Sequence, residues 1–367
     1  MSAYAIPAAV LTHAERIAAA LPVAVDIPEL LTGRAALLGL PPPGRISAGG
    51  ATRLLPARDG WCALTLSRPD DVEAVPALLE SDDTGPDPWP AITGWLANHA
   101  AADAVARARL LGMPAALLGE TPPAQPVVSR VGPPAMARTW ADLLVVELAS
   151  MWAGPLCGRL LARAGATVVK VESPTRHDGT RGGSPEFFDW VNSGKLCVTA
   201  DFDDPAEIQA LLAAADVVIE GSRPAALARR GLGPDAVTAR DGRVWVRITG
   251  YGTTGECADR VAFGDDAAVA GGLVGGTDGA PCFMGDAIAD PLTGLTAAHA
   301  VFESLRRGGG EVLEVSMAAT AAGYAALPDE GTVDVVPRRP APCTPASNPG
   351  ADSVSVRRLL ESRTAAC

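Results

Sequence analysis

The chain has 367 residues, 48% of them hydrophobic but only 4% aromatic, and a formal net charge of −12 from 30 basic and 42 acidic side chains. That length suits two domains, or one large domain with an appendage, around a core built from Ala, Val and Leu. The acidic balance argues against nucleic acid and an anionic membrane surface as the main partner, and no apolar run reaches the roughly 18 residues of a membrane span.

Residues 1–40 read as two short helices, Gly39–Gly50 as a loop, Arg58–Gly60 as a turn and Trp61–Leu66 as an alternating strand. Three helical stretches follow from Arg68 to Gly112, with Asp70 as a candidate N-cap and Gly112-Met113-Pro114 as the final break. Gly119–Ala137 holds five prolines and little apolar periodicity, so it reads as a semi-extended linker. The expected division is therefore a small N-terminal domain over 1–118, a linker over 119–137, an α/β domain over 138–327 and a proline-rich, mobile tail over 328–367.

The α/β half is organised around Leu143–Glu172. Leu143–Leu148 is a short apolar strand, and Ala153-Gly154-Pro155 a turn. Leu156, Leu160 and Leu161 recur at helical spacing, Gly165 suits a helix C-terminus, and Thr167–Val171 is a second strand. A strand–helix–strand unit closes right-handed onto a parallel sheet. The turn at Trp152–Pro155 then lies at the carboxyl end of a strand, where such sheets bind ligands; a plain crossover has the same spacing. The glycines do not fit GxGxxG, so no dinucleotide fingerprint is present.

Further on, the polar stretch Ser173–Asn192 reads as a loop. Short strands are expected at Leu196–Ala200, Asp216–Glu220 and Arg243–Ile248, alternating with helices at Pro205–Ala214 and Pro224–Arg230. That alternation predicts a doubly wound, mostly parallel, Rossmann-like sheet. Helices over Asp265–Gly272, Pro291–Leu305 and Met317–Leu327, with an edge strand at Glu311–Ser316, complete it. A short helix at Val354–Leu360 is the single element expected in the tail.

From Asp142 to about Leu327 the sequence resembles the family III CoA-transferases, the superfamily of formyl-CoA and carnitine CoA-transferases and α-methylacyl-CoA racemase. AGP with LLARAGATVVKVE, then NSGK, ADVVIEGSRPAALARRGLG, ITGYGTTG, ADR and DPLTG occur in the family's order. Residues 44–120 resemble the family's distal domain, here preceding the α/β half rather than following it. The chain thus resembles a rearranged or half-length member.

The resemblance implies that Asp290, in GDAIADPLTG, is the catalytic carboxylate. It would attack an acyl-CoA thioester to form a mixed aspartyl anhydride, with CoA leaving as thiolate and the acceptor acid completing the exchange by the reverse chemistry. Asp290 before Pro291 also suits a helix N-cap, and both roles can hold. Gly250 and Gly252 lie in a loop resembling the family's glycine-containing active-site loop, whose N–H groups could stabilise an oxyanion. The family's CoA contacts would map to Trp152, Ala153, Lys195 and Arg229, a cationic rim suited to a polyanionic ligand. Lys170 is expected to snorkel out of its strand. Asp286 and the pair Asp265–Asp266 are expected on solvated surface or as helix caps.

Some positions depart from the pattern. Trp152 stands where many relatives have glutamine, and Ser173 where relatives have a basic or similar residue. Phe263 and Gly264 occupy the positions of the His–Asp pair in the racemase branch. Transfer of CoA between an acyl-CoA and a carboxylic acid is therefore the leading expectation. An acyl-CoA racemase or isomerase, and a non-catalytic CoA-binding subunit of a two-chain enzyme, are the alternatives. Acyl-CoA and carboxylic-acid substrates, a homodimer or a hetero-oligomer with a related chain, and no metal follow from the resemblance. The seven cysteines form no CxxC pair, and the histidines at 13, 99, 177 and 299 have no metal-ligand spacing. With a start that lacks the pattern of a secretion signal, they suit a reduced, cytoplasmic protein.

Overall fold

In a computed structural model, which describes residues 2–136 and 138–365, the dominant feature is a seven-stranded sheet. From one edge to the other run Leu196–Thr199, Thr167–Glu172, Leu144–Leu148, Val217–Glu220, Val244–Thr249, Glu311–Ser316 and Val127–Arg130. All neighbours pair in parallel except the last two, which are antiparallel. The first parallel strand sits in the middle, with the second and third to one side and the fourth to sixth on the other. This is the doubly wound order, and its topological switch point lies between Leu144–Leu148 and Val217–Glu220.

Strand alternation explains why both faces are covered. Leu144, Val146 and Leu148 point into one core with Ile208, Leu211 and Leu212 of the helix Ala206–Ala214. Val145 points the other way, into a larger core with Leu156 and Leu160 of the helix Ala153–Arg163 and Leu292 and Leu295 of the helix Ala289–Arg306.

Several expectations are corrected. The first 40 residues do not join the small N-terminal unit. Ile6, Val10, Leu30 and Leu31 are buried in the larger core, and the strand Tyr4–Pro7 pairs with Thr332–Val335. The small unit is narrower: Thr52–Pro56, Trp61–Thr65 and Ala115–Leu117 form an antiparallel sheet over its own core of Leu78, Ile92, Val105 and neighbours. Asp70 is not a cap, because Arg68 holds that position and Asp71 accepts its N–H at 2.9 Å. Val127–Arg130, inside the expected linker, is the antiparallel edge strand, which moves Glu311–Ser316 inward by one place.

The expected loop at Ser173–Asn192 contains a helix, Pro185–Asn192, capped by Ser184 and burying Phe187, Phe188 and Trp190. The tail is ordered over its described residues. Ser353–Ala365 is helical and lays Val356 against the second core. Asp352 accepts the Cys197 N–H at 2.8 Å, and Arg363 reaches Asp216 at 2.5 Å. Among the described residues, no helix is long and apolar enough to cross a membrane.

Candidate active site

Asp290 is the second residue of the helix Ala289–Arg306, whose N-cap position belongs to Ile288, so it is not the cap its sequence suggested. The backbone N–H groups of Ala153 and Gly264, each the first residue of its own helix, lie near enough to its carboxylate to lower its pKa. Two helix N-termini therefore converge on one carboxylate, beside the switch point. The approach is so close that a Cβ on Gly264 would collide with Asp290 Oδ2 and the Ala287 carbonyl. Burial pushes the Asp290 pKa up to about 7; Arg34 and the two N–H groups oppose the rise, and the charge of Asp265 adds to it.

The backbone around this carboxylate is held in unusual conformations. Met151 (φ 74°) and Ala287 (φ 44°) are two of the three non-glycine residues with left-handed φ among those described, and they precede Ala153 and Asp290 by two and three positions. Met151 N–H is fixed by Asp178 Oδ1 at 3.1 Å and Ala287 N–H by Asp265 Oδ1 at 3.1 Å.

Under the 149–155 loop lies a fully buried quartet. Lys170 Nζ contacts Glu147 at 3.1 Å, Asp178 at 2.8 Å and the Ala149 carbonyl at 2.8 Å. Lys195 Nζ contacts Glu147 at 2.8 Å, the Pro155 carbonyl at 2.8 Å and Asn192 at 2.9 Å. Gly158 makes room for it, since a Cβ there would collide with Glu147 Oε2. Glu147 and Asp178 hold the Lys170 ammonium above its usual range against the cost of burial. Burial and the like charge of Lys170 pull Lys195 down to about 8 although Glu147 opposes the fall.

These positions correct two expectations. Lys170 does not snorkel outward, and Lys195 spends its donors inside the protein rather than on a cationic rim. Arg229 is exposed at the C-terminal end of the helix Pro224–Ala228, after the switch-point strand Val217–Glu220. Trp152 is buried edge-on against Phe187 at 5.3 Å. Trp152, Ala153 and Asp290 are thus brought together, while Lys195 lies behind them. In the glycine loop, Gly252 N–H already donates to Thr249 Oγ1 at 2.9 Å, and the Gly250 carbonyl accepts from Ala318 N–H and Ser316 Oγ. The Gly252 N–H is thus turned to its own loop, and the backbone N–H groups directed at the Asp290 carboxylate are those of Ala153 and Gly264.

The other acids are not on solvated surface. Asp286 is buried and paired with Arg34 at 2.6 Å. Asp266 is buried where the small unit meets the helix Gly264–Ala270; it accepts from Thr65 Oγ1 and Phe263 N–H, both at 3.0 Å. Among the described residues its other oxygen has no hydrogen-bond partner, and burial raises its pKa to about 8. Sequence reasoning missed Arg34 altogether. It sits on Ile27–Leu38, 252 positions from its ion-pair partner, and no local pattern links the two.

The Asp266 environment fixes the sign of a stability effect. Its native pKa lies above the ordinary 3.8, so the folded state binds the extra proton. The contribution is full below about pH 4 and is lost as pH rises towards 8. Asp266→Asn has no proton to lose and is expected to be more stable than the parent at pH 9 by on the order of 3 kcal/mol, but not at pH 4. Urea midpoints across that range test this, and parallel profiles for the two proteins would refute it.

Among the described residues no group of three or more His, Cys, Asp and Glu is placed to hold a metal. What the fold offers is a carboxylate at the carboxyl rim of a doubly wound sheet, raised in pKa and cradled by two helix N-termini. The CoA-transferase family III model matches residues 140–336, more than half of the chain. The chain belongs to CoA-transferase family III.

Succinate–glutarate CoA-transferase of Agrobacterium fabrum is 32% identical over 203 residues, covering 48% of this chain and 50% of its own. The succinyl-CoA–L-malate CoA-transferase beta subunit of Chloroflexus aurantiacus is 35% identical over 181 residues, covering 45% of each. The crystal structure of the hypothetical protein Rv3272 from Mycobacterium tuberculosis aligns with a TM-score of 0.47 at 32% identity, over 53% of this chain and 57% of that one. The chain spans about half the length of the curated relatives it matches.

Proposed function

We propose that this protein moves CoA from an acyl-CoA thioester to a carboxylic acid, with Asp290 as the nucleophile. The observation that carries the reading is the Asp290 carboxylate held by the Ala153 and Gly264 N–H groups in a family of CoA-transferases. An Asp290 oxygen attacks the thioester carbonyl, the C–S bond breaks and CoA leaves as thiolate, giving a mixed anhydride. The thiolate then attacks the aspartyl carbonyl and releases the donor acid, leaving an aspartyl-CoA thioester. The acceptor carboxylate attacks that carbon and expels the thiolate again. Attack of the thiolate on the acceptor's acyl carbon frees Asp290. When the aspartyl carbonyl is the electrophile, the two N–H groups face the oxygen on which negative charge develops.

A two-base racemase is disfavoured by Gly264. Any side chain there would meet Asp290 Oδ2 and the Ala287 carbonyl, so the second member of a His–Asp pair has no room. Trp152 and Ala153 lie next to one another beside Asp290, and Arg229 is a candidate contact for the anionic end of CoA. The half-length match, with a relative described as a beta subunit, favours a second arrangement in which this chain works beside a related one. Copurification with, or activation by, such a chain tests that assembly.

The test of the reading is intact-protein mass spectrometry after mixing with a panel of acyl-CoAs and quenching with hydroxylamine. A hydroxamate mapped to Asp290, absent from Asp290→Ala, is the expected result. Absence of any adduct despite measurable acyl-CoA binding would overturn it.

A further inference from the structure

The surroundings of Asp290 concentrate carboxyl groups. Asp265, Asp286 and Asp290 all lie close enough to Arg34 for its charge to lower their pKa values. A carboxylic acid arriving as its anion meets this same field. Lys170 and Lys195 cannot offset it, because both are buried and saturated by the quartet. Arg34 is the cation at this place.

Its geometry is that of a receptor with one side still open. Nη1 is 2.6 Å from Asp286 Oδ1, and Asp286 is its sole hydrogen-bond partner among the described residues. Nε and Nη2 therefore have no acceptor. The guanidinium lies 5.5 Å from the Trp152 ring centroid and 5.7 Å from that of Phe187, so two aromatic rings flank it. The side chain is 22% exposed, enough for a ligand to reach. A planar, anchored guanidinium with a free edge is the group that binds a carboxylate through two N–H bonds. Asp290 shares its field in the resting protein but becomes neutral once acylated, which leaves that field to an incoming anion.

We infer that Arg34 is the carboxylate receptor of this site, holding the acceptor acid against the aspartyl-CoA thioester formed on Asp290. The inference rests on the aspartyl reading above and adds a residue from the opposite end of the chain, outside the family-matched segment.

The test separates the two half-reactions in the parent, Arg34→Lys and Arg34→Gln. Formation of the Asp290 adduct from acyl-CoA in the absence of acceptor, compared on the high-pH plateau of each protein because Arg34 lowers the Asp290 pKa, is expected to change by less than about threefold. The KM for the acceptor acid is expected to rise at least tenfold in Arg34→Gln, with partial recovery in Arg34→Lys, which keeps the charge but not the fork. An unchanged acceptor KM, or an equal loss of acylation and acceptor turnover, would overturn the inference. Should Arg34→Gln fail to fold, Gly49→Ala crowds Nη2, 3.2 Å from the position of the new Cβ, without touching the Asp286 pair. It is expected to raise the same KM.

A second arm does not depend on aspartyl chemistry. Succinate binding to the unacylated protein at pH 6, measured by calorimetry, is expected to weaken about tenfold in Arg34→Gln. Equal binding by both proteins sinks the receptor role even if Asp290 proves not to be acylated.

Discussion

Asp290→Asn is expected to lose CoA transfer by about 10⁴-fold or more while becoming more stable at pH 8. The loss follows because the amide is not a nucleophile, and removing the covalent step leaves only binding and polarisation. The gain follows from linkage. Burial raises the native pKa to about 7 from the ordinary 3.8, so the native state binds a proton that the unfolded chain has lost. That contribution is complete below about pH 4 and declines as pH rises through 7. Asn keeps the shape and an oxygen for the Ala153 and Gly264 N–H groups. The variant should therefore match the parent near pH 4 and exceed it by about 2 kcal/mol above pH 8, a figure discounted for the partial exposure of the residue. In the parent, kcat/KM should rise with pH and level off above about 7, as the nucleophile ionises. Urea unfolding at the two pH values and a pH–rate profile check both halves. A variant that stays active, or a profile that falls through pH 7, contradicts the assignment.

Lys170→Met is expected to destabilise the fold by about 3–5 kcal/mol, because it leaves Asp178 without its ammonium and Glu147 with one partner, both in a fully buried site. The same change frees the Ala149 carbonyl, so the 149–155 loop loses a tether beneath Ala153. Solvation cannot rescue these groups, since all four members of the quartet have side chains at 0% exposure. Replacing Glu147 as well, with Gln, should recover part of the loss by removing an underpartnered charge. The readout is the urea midpoint at constant m-value. A loss below about 1 kcal/mol would mean that the quartet is hydrated in solution, not dry.

The α/β half was legible because local and tertiary signals agree there. Val145–Val146 and Val168–Val169 are β-branched runs, the leucines of Ala153–Arg163 fall on one face, and the order of short elements predicts a parallel sheet. The helix Pro185–Asn192 was legible too, through Ser184-Pro185-Glu186, which is a cap followed by proline at the first turn. That local signal is outweighed by the polar composition of residues 173–184, which reads as loop.

What the sequence could not reveal is long-range. Val127–Arg130 is a strand because an open sheet edge is available to it. The tail is ordered because Asp352, Arg363 and Val356 find partners on the far face of the sheet. The proposed site follows the same division. Asp290 announced itself through a motif, whereas Arg34 required the folded chain, and Lys195 matched a motif yet turned inward to Glu147.

The pairing of Tyr4–Pro7 with Thr332–Val335, and the burial of Val10, Leu30 and Leu31 beside Leu156 and Phe302, carry a practical consequence for anyone cutting the gene. A fragment cloned to the borders of the family match, residues 140–336, would lack one wall of its own hydrophobic interior and would uncover the side of the helix Ala289–Arg306 that meets the N-terminal helices. Such a fragment should express as inclusion bodies, and supplying residues 1–136 as a separate polypeptide in the same cell should bring part of it into solution.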